Sequence, residues 1–420
     1  MRPIKPKPSN LSIKLGQPSV YNPDFLRQRA RWIRDDLDPQ IARAGHDALH
    51  ADDILKLDDF LRQLLSAKLS IEDIRSSRIH LAVLEIAGRG TRWPKRLIER
   101  CDAVKAAWEV VHGPLQGMGI ALYEGGGRLQ GICRPEDLSK ELLIVKWLRT
   151  PGATKLSPIK ALRSGDLGFK PGEWWISPLF AFRDGIINGA EAEGGIVSDL
   201  AGAYAVVMTG KSEESSASAN EFVYQARSSD KGRYRLTAGT PESRHPVRIL
   251  RSHTLRSFYA PKAGLRYDGL HRVAGWTIKM DAKKKEMVYF ISFKRLPDQL
   301  SMDEVLRRPW TEEIEDYREY KRLRKLARDK QMETTRLGID LATPTGTTSM
   351  DGIVDVCEDG MMAPGSGSAE EDNSDLACLR RSAVTSRDAT GLGPCGIAET
   401  AETMHDVHTE TGERTDSLAG

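Results

Sequence analysis

YAPKAGLRYDGLHRVAGW, residues Tyr259–Trp276, joins a proline-glycine approach to a β-rich run, His271–Ile278. Asp268-Gly269 after an aromatic residue reads as a turn, because glycine reaches φ > 0 without a Cβ clash. Similar short runs stand upstream at Trp174–Ile176, Ala203–Met208, Phe222–Tyr224 and Pro246–Leu250, and downstream at Met287–Arg295. Most are bounded by Gly, Pro, Asp or Ser clusters, as strands are. Several short strands without helices between them imply a curved sheet or partial barrel. Lys283-Lys284-Lys285 reads as a hairpin tip.

WTEEIEDYREYKRLRKLARDK (Trp310–Lys330) reads as a charged helix with Thr311 as its N-cap. Its basic run (Arg318, Lys321, Arg322, Arg324, Lys325) suits phosphate contact or nuclear import, and equally a solvated face with i,i+3 pairs Glu315–Arg318 and Glu319–Arg322. Upstream, residues 21–116 carry helical stripes: Ile54, Leu57, Phe60, Leu61, Leu64 and Leu65, then Ile79, Val83 and Ile86, then Leu97, Ile98, Cys101, Val104 and Trp108. Asp52 and Asp53 stand where an N-cap and a first-turn acid belong, Pro94 opens a helix, and Gly113-Pro114 stops it. A bundle of four or five helices follows. The glycine-rich GGGRLQG (Gly125–Gly131) lacks the GK[ST] ending of a phosphate loop, so 117–160 reads as a linker with one short helix at Lys140–Leu148.

Charge is unevenly spread. Residues 340–420 hold 16 acidic residues against four arginines, a net of −12, which leaves +15 on residues 1–339. A basic body with an acidic tail suits a polyanion binder. Residues 333–420 contain no Phe, Trp or Tyr, and such a segment buries too little apolar surface to offset its ordering entropy. That stretch, and the Pro/Lys-rich residues 1–20, are expected to be disordered. No 18-residue apolar run predicts a membrane helix, and the N-terminus lacks the apolar core of a secretory signal. The five cysteines are widely spaced, without a CxxC pair, so neither a zinc site nor a disulfide framework is expected. His46 and His50 lack a third ligand. No GxSxG, Cys–His or paired-carboxylate motif marks a catalytic set. Catalytic residues, metal and cofactor are all expected to be none.

The Tyr259–Trp276 stretch resembles the signature of the SRA, or YDG, domain in Tyr259, Ala260, Pro261, Gly264, Arg266, Tyr267, Asp268, Gly269 and Leu270. His271 stands where that family has tyrosine. HPVRILRS (His245–Ser252), GAYAVVMTG (Gly202–Gly210) and GDLGFKPGEWW (Gly165–Trp175) match the preceding strands and the domain entrance in order. The implied fold class is α+β: an all-α bundle at 21–116, a linker at 117–160, and a curved, barrel-like mixed sheet of PUA-like type with flanking helices at 161–332. Ile74–Glu109 is loosely similar to the N-terminal helical domain of transcription elongation factors, which implies a protein partner for 21–116.

The resemblance implies a nuclear chromatin protein that binds double-stranded DNA and takes a methylated or hemimethylated cytosine out of the stack. Carried over residue by residue, the pocket is Tyr224 as an aromatic wall, Gln225 after it, and the loop Thr209, Gly210, Ser212, Glu214, Ser215. Ser212 replaces a second stacking tyrosine. Ser215 replaces the base-reading aspartate, with Glu214 as the adjacent alternative. Arg266, Tyr267, Asp268 and Gly269 form the YDG motif. Only Gln225–His245 is available for a major-groove finger, and Ala190–Glu193 is acidic where an apolar wedge is expected. The rival is a non-catalytic interaction adaptor with a degenerate pocket. No folded segment is expected after the SRA-like region to supply a SET domain, and no close-spaced Cys/His set is expected to supply a RING. A modification-dependent nuclease would need a metal-binding acid cluster with a strand lysine, and none is evident.

Overall fold

The computed structural model describes residues 21–336 apart from 90–91, 150–157, 190–193, 240–243 and 282–284. The expectations for residues 1–20, the 190–193 loop, Lys283 and Lys284, and the acidic tail from 337 onward lie outside the described residues.

The N-terminal helices form where the stripes predict, in more pieces. Asn22 caps α1 (Pro23–Arg31), its Oδ1 accepting from Phe25 N at 2.7 Å. A π-helical turn (Trp32–Leu37) continues into α2 (Asp38–Ala44). α3 (Ala51–Ser66) is capped by His50, which leaves Asp52 and Asp53 in the first turn. The stripe Ile79, Val83 and Ile86 forms α5 (Ile79–Ile86), and a further helix, α4 (Ile71–Ser77), precedes it across Arg78, whose φ is +64°. α6 (Lys95–His112) starts after Pro94 and ends at Gly113. These six helices share a core that includes Leu57, Leu61, Ile79, Val83, Leu97, Cys101 and Trp108.

The expected linker is packed. α7 (Lys140–Arg149) and the loop before it place Leu122, Leu129, Cys133, Leu143 and Trp147 in one core with Trp174, Phe180, Leu265 and Tyr267. Burying these widely spaced side chains against the sheet makes 117–149 part of the β region's own packing.

The sheet contains β1 (Trp174–Trp175), β2 (Gly195–Ser198), β3 (Ala203–Met208), β4 (Glu213–Ser218), β5 (Glu221–Ala226), β6 (Val247–Ser252), β7 (Leu265–Asp281) and β8 (Glu286–Arg295). α8 (Pro178–Asp184) and α9 (Arg233–Leu236) lie between strands, and α10 (Met302–Leu306) and α11 (Thr311–Arg336) follow them. The order is β2-β3-β6-β7-β8-β5-β4, with β1 added to β7. β3–β6 is parallel and the other pairs are antiparallel. The mixed α+β class is as expected; the sheet is open, with β2 and β4 at its ends. Side chains alternate between two cores: Ala205, Val207, Leu250 and Tyr267 face one, and Val206, Met208, Ile249 and Tyr224 the other.

α11 binds the helical bundle to the sheet. Arg34 meets Glu315 at 2.5 Å and Glu85 at 2.8 Å, Arg78 meets Asp316 at 2.5 Å, Arg31 meets Glu312 at 2.5 Å, and Arg128 meets Asp316 at 3.0 Å. Burial opposes the charge on Arg34, but Glu315 and Glu85 hold its pKa above the ordinary arginine range. Glu315 is therefore turned to Arg34, while the expected Glu319–Arg322 pair is present at 2.6 Å. Thr311 lies inside the first turn; its hydroxyl donates to Asp35 at 2.6 Å, and Trp310 N donates to Glu313 at 2.9 Å. The helix continues to Arg336, so residues 333–336, expected as tail, are helical.

Candidate nucleic-acid interface

Tyr267-Asp268-Gly269 is in the body of β7, where the sequence suggested a turn. Ile249 pairs with Gly269 and Leu250 with Tyr267, which makes Asp268 the extra residue of a β-bulge. The bulge turns Asp268 inward. Arg266 Nε and Nη2 donate to it at 2.6 and 3.1 Å, and Arg251 Nη1 donates at 2.6 Å. Burial alone would raise the Asp268 carboxyl, but the two guanidiniums hold it below the usual carboxylate range. Arg251 Nε also donates to Glu213 at 3.2 Å, and the Ser257 hydroxyl donates to the same carboxylate at 2.9 Å.

Other motif residues serve as anchors. Arg248 is fully buried, its guanidinium donating to the carbonyls of Ala161, Arg163 and Gly165 at 2.5–2.8 Å. Burial lowers its pKa to about 10. Gly264 has φ +66°, and a Cβ there would lie 2.2 Å from Trp175 O, so only glycine fits. His271 is buried against the edge of the Phe222 ring, and burial lowers its pKa to about 3. The neutral ring meets Gly269 O through Nδ1 at 3.2 Å.

Glu213 leads from this network to a cavity. Residues 209–212 turn tightly: Ser212 N donates to Thr209 O at 3.1 Å, and Thr209 N donates to Ser212 Oγ at 3.0 Å. Gln225 N on β5 closes the loop by donating to Ser212 O at 2.8 Å. Between loop and strand is a cavity of about 360 Å³, within the size range of small-ligand sites. Thr209, Ser212, Tyr224 and Gln225 line it, so four of the sequence candidates are brought together. Tyr224 is 1% exposed, its ring centroid 6.4 Å from that of Phe293, and burial raises its phenol pKa.

The other candidates are elsewhere. Gly210 contributes a carbonyl that accepts from Arg256 N at 2.6 Å, outside the lining. Glu214 is the extra residue of a second bulge, between the Glu213–Tyr224 and Ser215–Val223 pairs, and is exposed. Ser215 pairs with Val223 in β4, and its side chain is outside those described. Arg266, Tyr267 and Asp268 are buried away from the cavity. Sequence reasoning missed Asp281, Glu286 and Val288, which line the cavity from the far end of the β7–β8 hairpin, and Arg227–Ser229 after β5. The hairpin overhang shows only in the register: β5 stops pairing at Ala226–Tyr289, while β7 and β8 continue to Asp281–Glu286. Residues 227–239, where a groove finger would stand, fold back on the sheet: Asp230 accepts from Ile196 N at 2.7 Å, and Arg233 lies 5.3 Å from the Tyr289 ring.

Residues 164–299, which hold the bulge, the arginine network and the cavity, match the family model for the SAD/SRA domain. The chain carries an SAD/SRA domain. A UHRF1-like protein of Cryptococcus neoformans var. grubii serotype A is 43% identical over 58 residues, 14% of this chain and 17% of that protein. The chain thus matches only about a sixth of its curated relative's length. Among solved structures, SUVH5 SRA with hemimethylated CG DNA is 18% identical over 33% of this chain and 97% of that one, with a TM-score of 0.28. KRYPTONITE in complex with mCHH DNA, an H3(1-15) peptide and SAH is 21% identical over 39% and 38%, with a TM-score of 0.31. The modification-dependent TagI restriction endonuclease is 18% identical over 32% and 52%, with a TM-score of 0.26. Among the described residues, no group of three His, Cys, Asp or Glu side chains is placed to hold a metal ion, and no helix is long and apolar enough to cross a membrane.

Proposed function

We propose that this chain is a non-catalytic nuclear reader of duplex DNA whose SAD/SRA cavity receives an extruded, methylated cytosine. The cavity lined by Thr209, Ser212, Tyr224 and Gln225 carries the proposal: it brings together four residues of the base pocket that the resemblance implies, in a domain whose family resemblance implies base extrusion. Exposed Lys211, Lys231, Arg256 and Lys262 in the same domain favour contact with phosphate. Unstacking costs a few kcal/mol, which stacking on Tyr224 and hydrogen bonds to the base edge must offset. Residues 21–116 serve a protein partner and place the reader in chromatin.

A second reading, an interaction adaptor with a decayed pocket, is favoured by Ser212, which puts a hydroxyl where an aromatic wall is expected, and by the exposed Glu214. Anisotropy with the full chain and matched duplexes carrying unmodified, hemimethylated or fully methylated CpG separates the two. A preference of about tenfold or more for methylated DNA, roughly 1.4 kcal/mol, supports the reader. Equal binding with a steep salt slope means a backbone binder, and absence of binding favours the adaptor. Magnesium-dependent cutting of methylated plasmid by the same preparation would refute the non-catalytic assignment.

A further inference from the structure

Phe258 is 94% exposed, the most exposed large apolar side chain among the described residues. The backbone on either side of it is held fast. Leu255 is buried, Arg256 N donates to Gly210 O, and the Ser257 hydroxyl donates to Glu213, so the segment before Phe258 is fixed to the cavity loop itself. After it, Tyr259 O accepts from Arg266 Nη2 at 2.7 Å, and the partly buried Tyr259 ring packs against Ala219, Met302 and Val305. The two rings meet edge to face, 5.5 Å apart at 88°. Exposed Arg256 and Lys262 flank the pair in sequence, and Lys211 is exposed on the loop to which Arg256 is bonded. The fold thus holds an aromatic ring in solvent on a rigid support, two residues beyond the Arg256 bond to Gly210 of the cavity loop and with exposed cations on both sides in sequence.

We propose that Phe258 is a wedge that enters the base stack of duplex DNA beside the cavity, an inference that rests on the reading of the cavity face as a DNA-binding surface. Apolar side chains that insert between base steps partly unstack them, and an aromatic face replaces part of the lost stacking for any base. The cavity lining includes one aromatic residue, Tyr224, so a second aromatic group acting on the duplex lowers the cost of extrusion that Tyr224 must otherwise meet alone. Arg256, Lys262 and Lys211 hold the flanking phosphates while the ring enters.

The test compares full-length wild type with Phe258→Ala, Phe258→Trp and Phe258→Ser, by anisotropy on methylated and unmodified duplexes and by the fluorescence of 2-aminopurine next to the target base. Since the ring is 94% exposed, all three variants should melt with the wild type. Phe258→Ala and Phe258→Ser should lose about 5- to 150-fold in affinity, the range for removing one stacking platform, together with the 2-aminopurine signal. Phe258→Trp should keep both. Wild-type binding and signal retained in Phe258→Ala overturn the wedge and leave Phe258 as a contact for a protein. Failure of the wild type to bind any duplex overturns the DNA reading and the wedge with it.

Discussion

Arg251 and Asp268 meet at 2.6 Å with both side chains 0% exposed, and Arg251 spans from Asp268 of the YDG motif to Glu213 at the end of the cavity loop. The motif that marks the domain in sequence thus acts as the anchor of the site. The pair predicts a large asymmetry on mutation. Asp268→Asn leaves two buried guanidiniums short of charge and should cost about 3–5 kcal/mol, as when one partner of a buried pair is removed. Urea unfolding of the full chain measures it, and a loss below about 1 kcal/mol would show the network to be solvated.

Asp316 binds two parts of the chain through Arg78 and Arg128. Asp316→Ala should lower stability by a similar amount, about 3–5 kcal/mol. Residues 160–332 expressed alone should melt well below residues 21–336, because Glu312, Glu313, Glu315 and Asp316 lose arginines and the core loses Leu122, Leu129 and Trp147. Equal melting temperatures for the two fragments would contradict this.

His271 predicts a pH dependence. Its folded pKa, about 3, is below the ordinary histidine value, and burial likewise lowers His80 to about 4. The unfolded chain therefore binds more protons between those values and about 6.5. The stability from the two neutral rings is complete above that pH and is lost as pH falls toward 3, at up to about 1.4 kcal/mol per pH unit for each ring. His271→Phe should flatten part of that slope in urea titrations at pH 7, 6 and 5, and an unchanged slope would assign it elsewhere.

Ser212 predicts a gain of function. If the cavity reads an extruded base with one aromatic wall, Ser212→Tyr should supply the second and raise affinity for methylated duplex by about 5- to 150-fold, while leaving unmodified DNA nearly unchanged. A rise on every duplex alike would mean that the new ring does not enter the cavity.

Six of the eight strands, all but the end strands β2 and β4, and the domain class were legible because glycine, proline and β-branched punctuation is local. Gly264 is needed where its own backbone meets Trp175, and that demand is written into the motif. What was illegible depends on distant partners. Glu315 was read as the partner of Arg318 on its own helix, yet it pairs with Arg34, and the arginines that bury Asp316 are 238 and 188 residues away. Leu143 and Trp147 share a helical face on the expected helix, but Leu122, Leu129 and Cys133 have no helical or strand period that would mark 117–139 as core. Thr209, Ser212, Tyr224 and Gln225 were found from the motif order, but Asp281 and Glu286 were not, since alternation along β7 and β8 does not reveal where β5 stops. The turn assigned to Asp268-Gly269 failed because a bulge has the same local sequence as a turn, and pairing with β6 decides between them.

The most direct test of the account is the emission of 2-aminopurine placed next to the target cytosine, recorded with the full-length chain at a fixed salt concentration and compared between methylated and unmodified duplexes of one sequence. Base extrusion into the Tyr224 cavity predicts a rise in emission on the methylated duplex that is absent from the unmodified one and lost in Tyr224→Leu. Tight binding to both duplexes with no change in emission would contradict it.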